Sequence, residues 1–183
     1  LHFTIHSFPT RRSSDLTQTL GMFCRSMVFP YASLYILALG GEPAQIGIIN
    51  SISPLAGLIA FPLGGYLADR AGRVKVVTIA GFAGTAILLL YVVAPSWHWI
   101  AAARFLQGFM VIQFPATSAI IADSLRSETR GRGVATMSTI STAFAVVAPY
   151  IAGAVIDAQG AERGGRILYG IMTSASLVIA LVY

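Results

Sequence analysis

Charge is what this chain has least of. Only 10% of its 183 residues are Asp, Glu, Lys or Arg, against about 25% in an ordinary soluble domain. A water-soluble globule is thereby excluded, because 56% of the residues are hydrophobic and the few charges cannot cover them. Cysteine is nearly absent as well. Cys24 stands alone inside an apolar run, which excludes a disulfide framework and a cysteine metal cluster. No zinc-ligand spacing, nucleophile elbow or phosphate-binding loop occurs. The stretches "GGEPAQIG" and "ADRAGR" lack the strand–turn–helix setting that a nucleotide loop requires. An enzymatic reading therefore has no residues to rest on, and no cofactor is implied. Acidic residues number 7 against 12 basic ones, for a formal charge of +5. In a soluble protein that balance would suggest nucleic acid. Here the basic residues lie between apolar runs, so they point to membrane topology and a lipid bilayer as partner, not nucleic acid.

What the chain does hold is a series of long apolar runs. A membrane helix needs about 20 mostly apolar residues, and six segments meet that test, near 18–39, 45–66, 75–94, 99–121, 135–156 and 167–183. The expected fold is thus all-α and membrane-embedded. The breaks "GGEPAQ", "ADRAGRVK", "PSWH", "DSLRSETRGRG" and "DAQGAERGGR" are short, polar and rich in Gly or Pro, as helix connections should be. Residues 1–16 read differently. His6 to Asp15 back-translate without a mismatch to a common short-read sequencing adapter, so this stretch is set aside as non-native. The native chain is expected over 17–183. It has no initiating Met before that point and stops inside an apolar run, so a piece of a longer protein is expected.

Orientation follows from the basic residues in the connections. Arg70, Arg73 and Lys75 lie in the second, and Arg126, Arg130 and Arg132 in the fourth, while the first and third carry no Lys or Arg. Connections two and four, and the N-terminus, are then cytoplasmic in a cell inner membrane. Trp97, His98 and Trp99 fall at the outer interface, where amphipathic rings collect. A weak internal repeat relates "RSMVFPYAS" (Arg25 to Ser33) to "FMVIQFPATS" (Phe109 to Ser118). Their spans run in opposite directions, as in transporters built from two inverted three-helix repeats.

Arg104 is the sharpest candidate for chemistry, since an intramembrane charge costs at least ~2.5 kcal/mol and usually faces a cavity or a partner. Its helical stripe runs through Gln107, Gly108, Val111, Pro115 and Ser118, whereas Gln113 and Thr117 fall on the opposite face at regular helical spacing. Two readings are open: a cavity-facing cation, or a structural arginine bonded to backbone carbonyls or snorkelling. Arg25 lies near the start of the first span, so snorkelling is open to it too. Asn50, Ser51 and Ser53 are either pore-lining or bonded across helices. Ser138, Thr142, Ala145, Ala148 and Ala152 form a small-residue stripe suited to close helix packing. Pro30, Pro54, Pro62, Pro115 and Pro149 mark possible kinks.

"GGYLADRAGRVKVV", between the second and third spans, resembles the signature loop of the major facilitator superfamily, G-x-L-A-D-R-x-G-R plus a basic residue. Gly65, Leu67, Ala68, Asp69, Arg70, Gly72, Arg73 and Lys75 meet it. "RFLQG", Arg104 to Gly108, resembles the family's fourth-helix motif R-x-x-Q-G, whose arginine is associated with proton coupling. "ADSLRSETRGRG" resembles the acidic-then-RG connection, with Asp123, Glu128, Arg130 and Gly131. "APYIAG" partly resembles the fifth-helix antiporter motif: Pro149 and Gly153 remain, and alanines replace two glycines. The resemblance covers 17–183, the first six of the family's twelve helices. It implies a secondary transporter of small organic solutes working by alternating access, with proton-coupled efflux as the favoured subclass. A sugar or metabolite carrier without antiport, and a non-transporting membrane scaffold or sensor, stay open beside it. It further implies a switch cluster of Asp69, Arg73 and Asp123, a cavity wall containing Arg104, and a missing C-terminal six-helix half against which Asp69 would sit.

Overall fold

The computed structural model describes residues 19–124 and 130–182, and within them the side chains of Asp69, Arg73, Asp123 and Arg130 lie outside the description. The described residues are almost wholly helical. Helix α1 (Thr19–Ala38) contains a 3-10 turn at Phe29–Tyr31, where Pro30 supplies no amide donor. Leu39 and Gly40 close it, and Gly41 N–H returns to Ile36 C=O at 3.0 Å. Helix α2 (Pro43–Ala71) starts on a reciprocal cap: Glu42 N–H donates to Gln45 Oε1 at 2.9 Å, and the Glu42 side chain accepts a backbone N–H of the first turn. Proline at the first helical position costs nothing there, since that N–H would be unpaired anyway.

Helices α3 (Arg73–Val92) and α4 (Trp97–Phe109) follow. The fourth expected span is not one helix. After α4 the chain tightens into a 3-10 turn, Met110–Ile112, before continuing as α5 (Gln113–Ser124). The last element, α6 (Arg130–Val182), is helical throughout except at Gly160, whose φ of 81° and ψ of 162° are non-helical. Its two arms fold back on each other there. A Cβ placed on Gly164 would lie 3.0 Å from the Ile156 Cα, a contact impossible across eight residues of straight helix, which rise about 12 Å.

The connections are shorter than the polar stretches suggested. "ADRAGRVK" and "DAQGAERGGR" shrink to single glycines, Gly72 (φ 89°) and Gly160 (φ 81°). Polarity ends the membrane-compatible stretch, but Ala, Asp, Arg, Gln and Glu do not end a helix. At both of these points a glycine at positive φ turns the chain. Asp69 and Arg70 therefore stand in the last turn of α2, and Arg73 opens α3. Where six spans were expected, the membrane-length apolar stretches among the described residues are four, Thr19–Ala38, Pro43–Leu67, Val74–Val92 and Ala145–Leu181. The last spans parts of both α6 arms.

The principal core lies at the end of the bundle that carries Trp97. There Tyr35, Ile36, Ile49, Tyr91, Ile100, Ala103, Ala148, Ala152 and Leu168 interlock. Ala148 and Ala152 are fully buried, so the packing reading of the small-residue stripe holds for them. Ser138 and Thr142 are exposed. A smaller cluster of Val76, Val77 and Ala116 over Ile112 joins α3 to α5 at the opposite end. Elsewhere the surface is apolar: Leu58 is 75% exposed, Val146 73% and Tyr150 83%. A face of that kind needs hydrocarbon or another apolar surface as solvent. The molecule is an all-α, multi-pass membrane protein.

Candidate functional site

Between α1, α3, the α4–α5 chain and the second arm of α6 lies a cavity of about 330 Å³. Arg25 and Phe29 enter from α1, Ser53 from α2, and Gly84 and Leu88 from α3. Arg104, Gln107, Met110, Val111, Gln113 and Phe114 come from α4–α5, and Tyr169, Met172 and Ser176 from α6. The structure thus places Arg25 and Arg104, from different helices, on the lining of one cavity. Arg25 and Phe29 also border a second recess of about 430 Å³, completed by Met22, Ser26, Pro30, Ala145 and Pro149. Phe29 and Phe114, which correspond in the two repeat segments, meet at the first cavity.

Gln113 corrects the sequence reading. At 100° per residue it opposes Arg104, yet it lines the same cavity. The 3-10 turn at Met110–Ile112 advances about 120° per residue in place of about 100°, so three residues add roughly 60° and swing Gln113 toward the Gln107 side. Regular periodicity cannot anticipate that change of phase.

The polar groups of this wall are held from behind. Tyr91, fully buried, donates its hydroxyl to Gln107 Oε1 at 3.1 Å. Its ring stacks on Tyr169 with centroids 4.5 Å apart and 6° between planes. Tyr35 donates to the Tyr91 carbonyl at 2.7 Å and tilts against Tyr169 at 5.5 Å. None of these tyrosines was singled out from the sequence. A buried Tyr hydroxyl demands a partner, but sequence does not say which. The Arg104 Nε is covered and has no hydrogen-bond partner among the described residues.

Gly108 explains the glycine of "RFLQG". A Cβ there would collide with the Ser53 carbonyl oxygen and lie 2.6 Å from the Ala56 Cβ, so α2 and α4 cross backbone to backbone. The seam continues at Gly64, whose added Cβ would fall 2.5 Å from the Ile112 carbonyl oxygen. Gly65, by contrast, faces no atom within 4 Å among the described residues. The close approach belongs to Gly64 and runs against the α4–α5 turn. Pro149 and Gly153 share a partner. Tyr31 donates to the Pro149 carbonyl at 2.9 Å, and a Cβ on Gly153 would sit 2.6 Å from that hydroxyl.

Arg70 stacks over the Tyr66 ring at 4.9 Å in the last turn of α2, where a cation also favours the helix dipole. The charge cluster expected of Asp69, Arg73, Asp123 and Arg130 falls on side chains outside the described residues. Ser51 bonds its own helix through Gly47 C=O at 2.9 Å, while Ser53 reaches the cavity. At the far end Arg166 pairs with Glu162 at 3.0 Å and donates to Ala94 C=O at 3.3 Å.

The described helices thus form a membrane bundle with an arginine-bearing cavity between them. Residues 15–183 match the Major Facilitator Superfamily, and the chain belongs to that family. It is 28% identical over 139 residues to the multi-drug resistance efflux pump PmrA of Streptococcus pneumoniae, covering 74% of this chain and 35% of that protein. To the multidrug resistance protein MdtG it is 28% identical over 163 residues in Serratia proteamaculans (86% and 39%). For the protein of the same name in Enterobacter lignolyticus the identity is 32% over 142 residues (74% and 34%). The chain thus spans somewhat over a third of the length of the curated relatives it matches.

Proposed function

We propose that residues 17–183 form the N-terminal six-helix half of a secondary transporter that exports small organic solutes by alternating access, coupled to protons. The observation that carries this reading is the cavity shared by α1 and α4–α5, with Arg25, Arg104 and Gln107 on its wall. Relatives named as multidrug efflux pumps support export. Coverage of about a third of those proteins supports a second half that completes the cavity. Positive residues at the Arg70 end support a cytoplasmic placement of that end in the inner membrane. Asp69 and Asp123, each close to a helix end, are the proposed movable contacts of the switch. Both stand at the C-terminal ends of their helices, where their own dipole does not favour them; set against the N-terminus of a facing helix a carboxylate gains about 0.3–1 kcal/mol, little enough to be broken and remade in each cycle.

The test is flux through the complete transporter in proteoliposomes under an imposed proton gradient. Gradient-driven accumulation of a substrate, lost in Arg104→Ala while downhill exchange persists, is the expected result. Undiminished accumulation in that variant removes the coupling role. Exchange that ignores the gradient identifies a carrier without antiport, and an absence of any flux leaves only a scaffold.

A further inference from the structure

The cavity wall is one-sided in its hydrogen bonding. Tyr91 donates its hydroxyl to Gln107 Oε1 at 3.1 Å, which engages the amide's oxygen on the Tyr91 side and leaves its NH₂ group as the end without a partner among the described residues. Tyr91 cannot easily turn away, because it is fully buried and stacked on Tyr169 at 4.5 Å. Arg25 and Arg104 line the same cavity, and guanidinium offers donors and no acceptor. The Nε of Arg104 is covered and unpartnered among the described residues. No Asp or Glu stands among the described lining residues. Two cations and an oriented amide therefore surround a space of about 330 Å³, within the range of small-ligand sites. Its remaining wall is apolar and aromatic, from Phe29, Phe114 and Met172.

From this we infer that the transported solute is an organic anion with an apolar body, its carboxylate, sulfonate or phosphonate group held by Arg25, Arg104 and the Gln107 amide. The inference rests on the reading of this cavity as the substrate cavity. An isolated intramembrane cation is expensive, and a guanidinium binds a planar or tetrahedral oxyanion through paired donors. The anion supplies the charge this wall lacks. The aromatic and thioether side chains take the body, which they can do without strict shape selection.

A matched pair of probes separates the possibilities: pyrenebutyrate and a pyrenyl trimethylammonium salt, with the same ring system and opposite charge. Binding to the complete purified transporter in nanodiscs is followed by pyrene fluorescence, and efflux by proteoliposome flux. Pyrenebutyrate should bind saturably and be exported. Arg25→Gln and Arg104→Gln should each weaken it roughly tenfold or more, the usual worth of a charged hydrogen bond, with Arg104→Lys recovering part of the loss. The cationic probe should gain or keep affinity in the same variants, which shows that they are folded. Saturable export of the cation but not the anion overturns the substrate class and leaves the transporter reading standing. So does anion binding unchanged in both glutamine variants, because a carboxylate of the second half would then neutralise the arginines. Neither probe binding nor crossing, in a protein that remains monodisperse, overturns both.

Discussion

Substituting Gly108 by Ala adds a single methyl group where α2 and α4 meet. The added Cβ would collide with the Ser53 carbonyl oxygen and lie 2.6 Å from the Ala56 Cβ. Carbon atoms rest at about 3.5–4.0 Å, so the helices must separate by roughly 1 Å along this seam. One obstacle is backbone and cannot rotate aside. Overpacking of this kind costs about 1–3 kcal/mol, and the better helix propensity of alanine returns at most about 1 kcal/mol. A net loss of about 1–2 kcal/mol is expected, which lowers the thermal midpoint by roughly 2–8 °C for a unit of this size. The assay is thermal denaturation of the complete transporter in mild detergent, read by size-exclusion fluorescence. Ala56→Gly in the same background should restore only part, because the Ser53 carbonyl remains. Gly65→Ala is the control. It meets no atom within 4 Å among the described residues, and changes free of packing consequence stay within about 0.5 kcal/mol. If Gly108→Ala melts at or above the parent temperature, the backbone crossing is not what this motif glycine provides, and the reasoning is refuted.

Three further outcomes are expected, two from side-chain geometry and one from the proposed switch. Tyr31→Phe removes the bond to the Pro149 carbonyl and should cost about 0.5–1.5 kcal/mol. Gly153→Ala should cost more alone than in the Tyr31→Phe background, where the obstructing hydroxyl is gone, and a double-mutant cycle on thermal midpoints measures that coupling. Tyr91→Phe keeps the stack on Tyr169 but frees Gln107 Oε1. Anion-probe affinity should fall severalfold for loss of one neutral hydrogen bond, and an unchanged dissociation constant would show that the amide is not oriented from behind. Asp69→Asn should slow transport while insertion and expression stay normal, and proteoliposome flux equal to the parent's would deny Asp69 a switch role.

The legible part of this protein was its solvent. Scarce charge and runs of about twenty apolar residues permit little besides helices in a bilayer, because no water is available there to satisfy open backbone. The motif residues Arg104, Gln107 and Gly108 were legible too, as were Pro149 and Gly153, though not their reasons. Gly108 is needed against Ser53, and Gly153 against Tyr31, partners 55 and 122 positions away in sequence. Gln113 was misplaced because a turn of three residues alters the helical phase, and no local propensity announces that turn. Helix ends were misjudged where polarity was taken for a break, as at Ala68 to Ala71.

Composition and hydropathy alone thus determined the all-α, membrane-embedded fold class, and the motif residues of Gly65–Lys75 and Arg104–Gly108 carried the family resemblance. All of these depend on hydropathy and local order along the chain. Tertiary structure alone decided that Arg25 shares a cavity with Arg104, that Tyr91 aims the Gln107 amide, and that Gly64 rather than Gly65 is the point of close approach. Each of those depends on which helix faces meet. In an environment where every face is apolar, hydrophobic patterning no longer says which face turns inward.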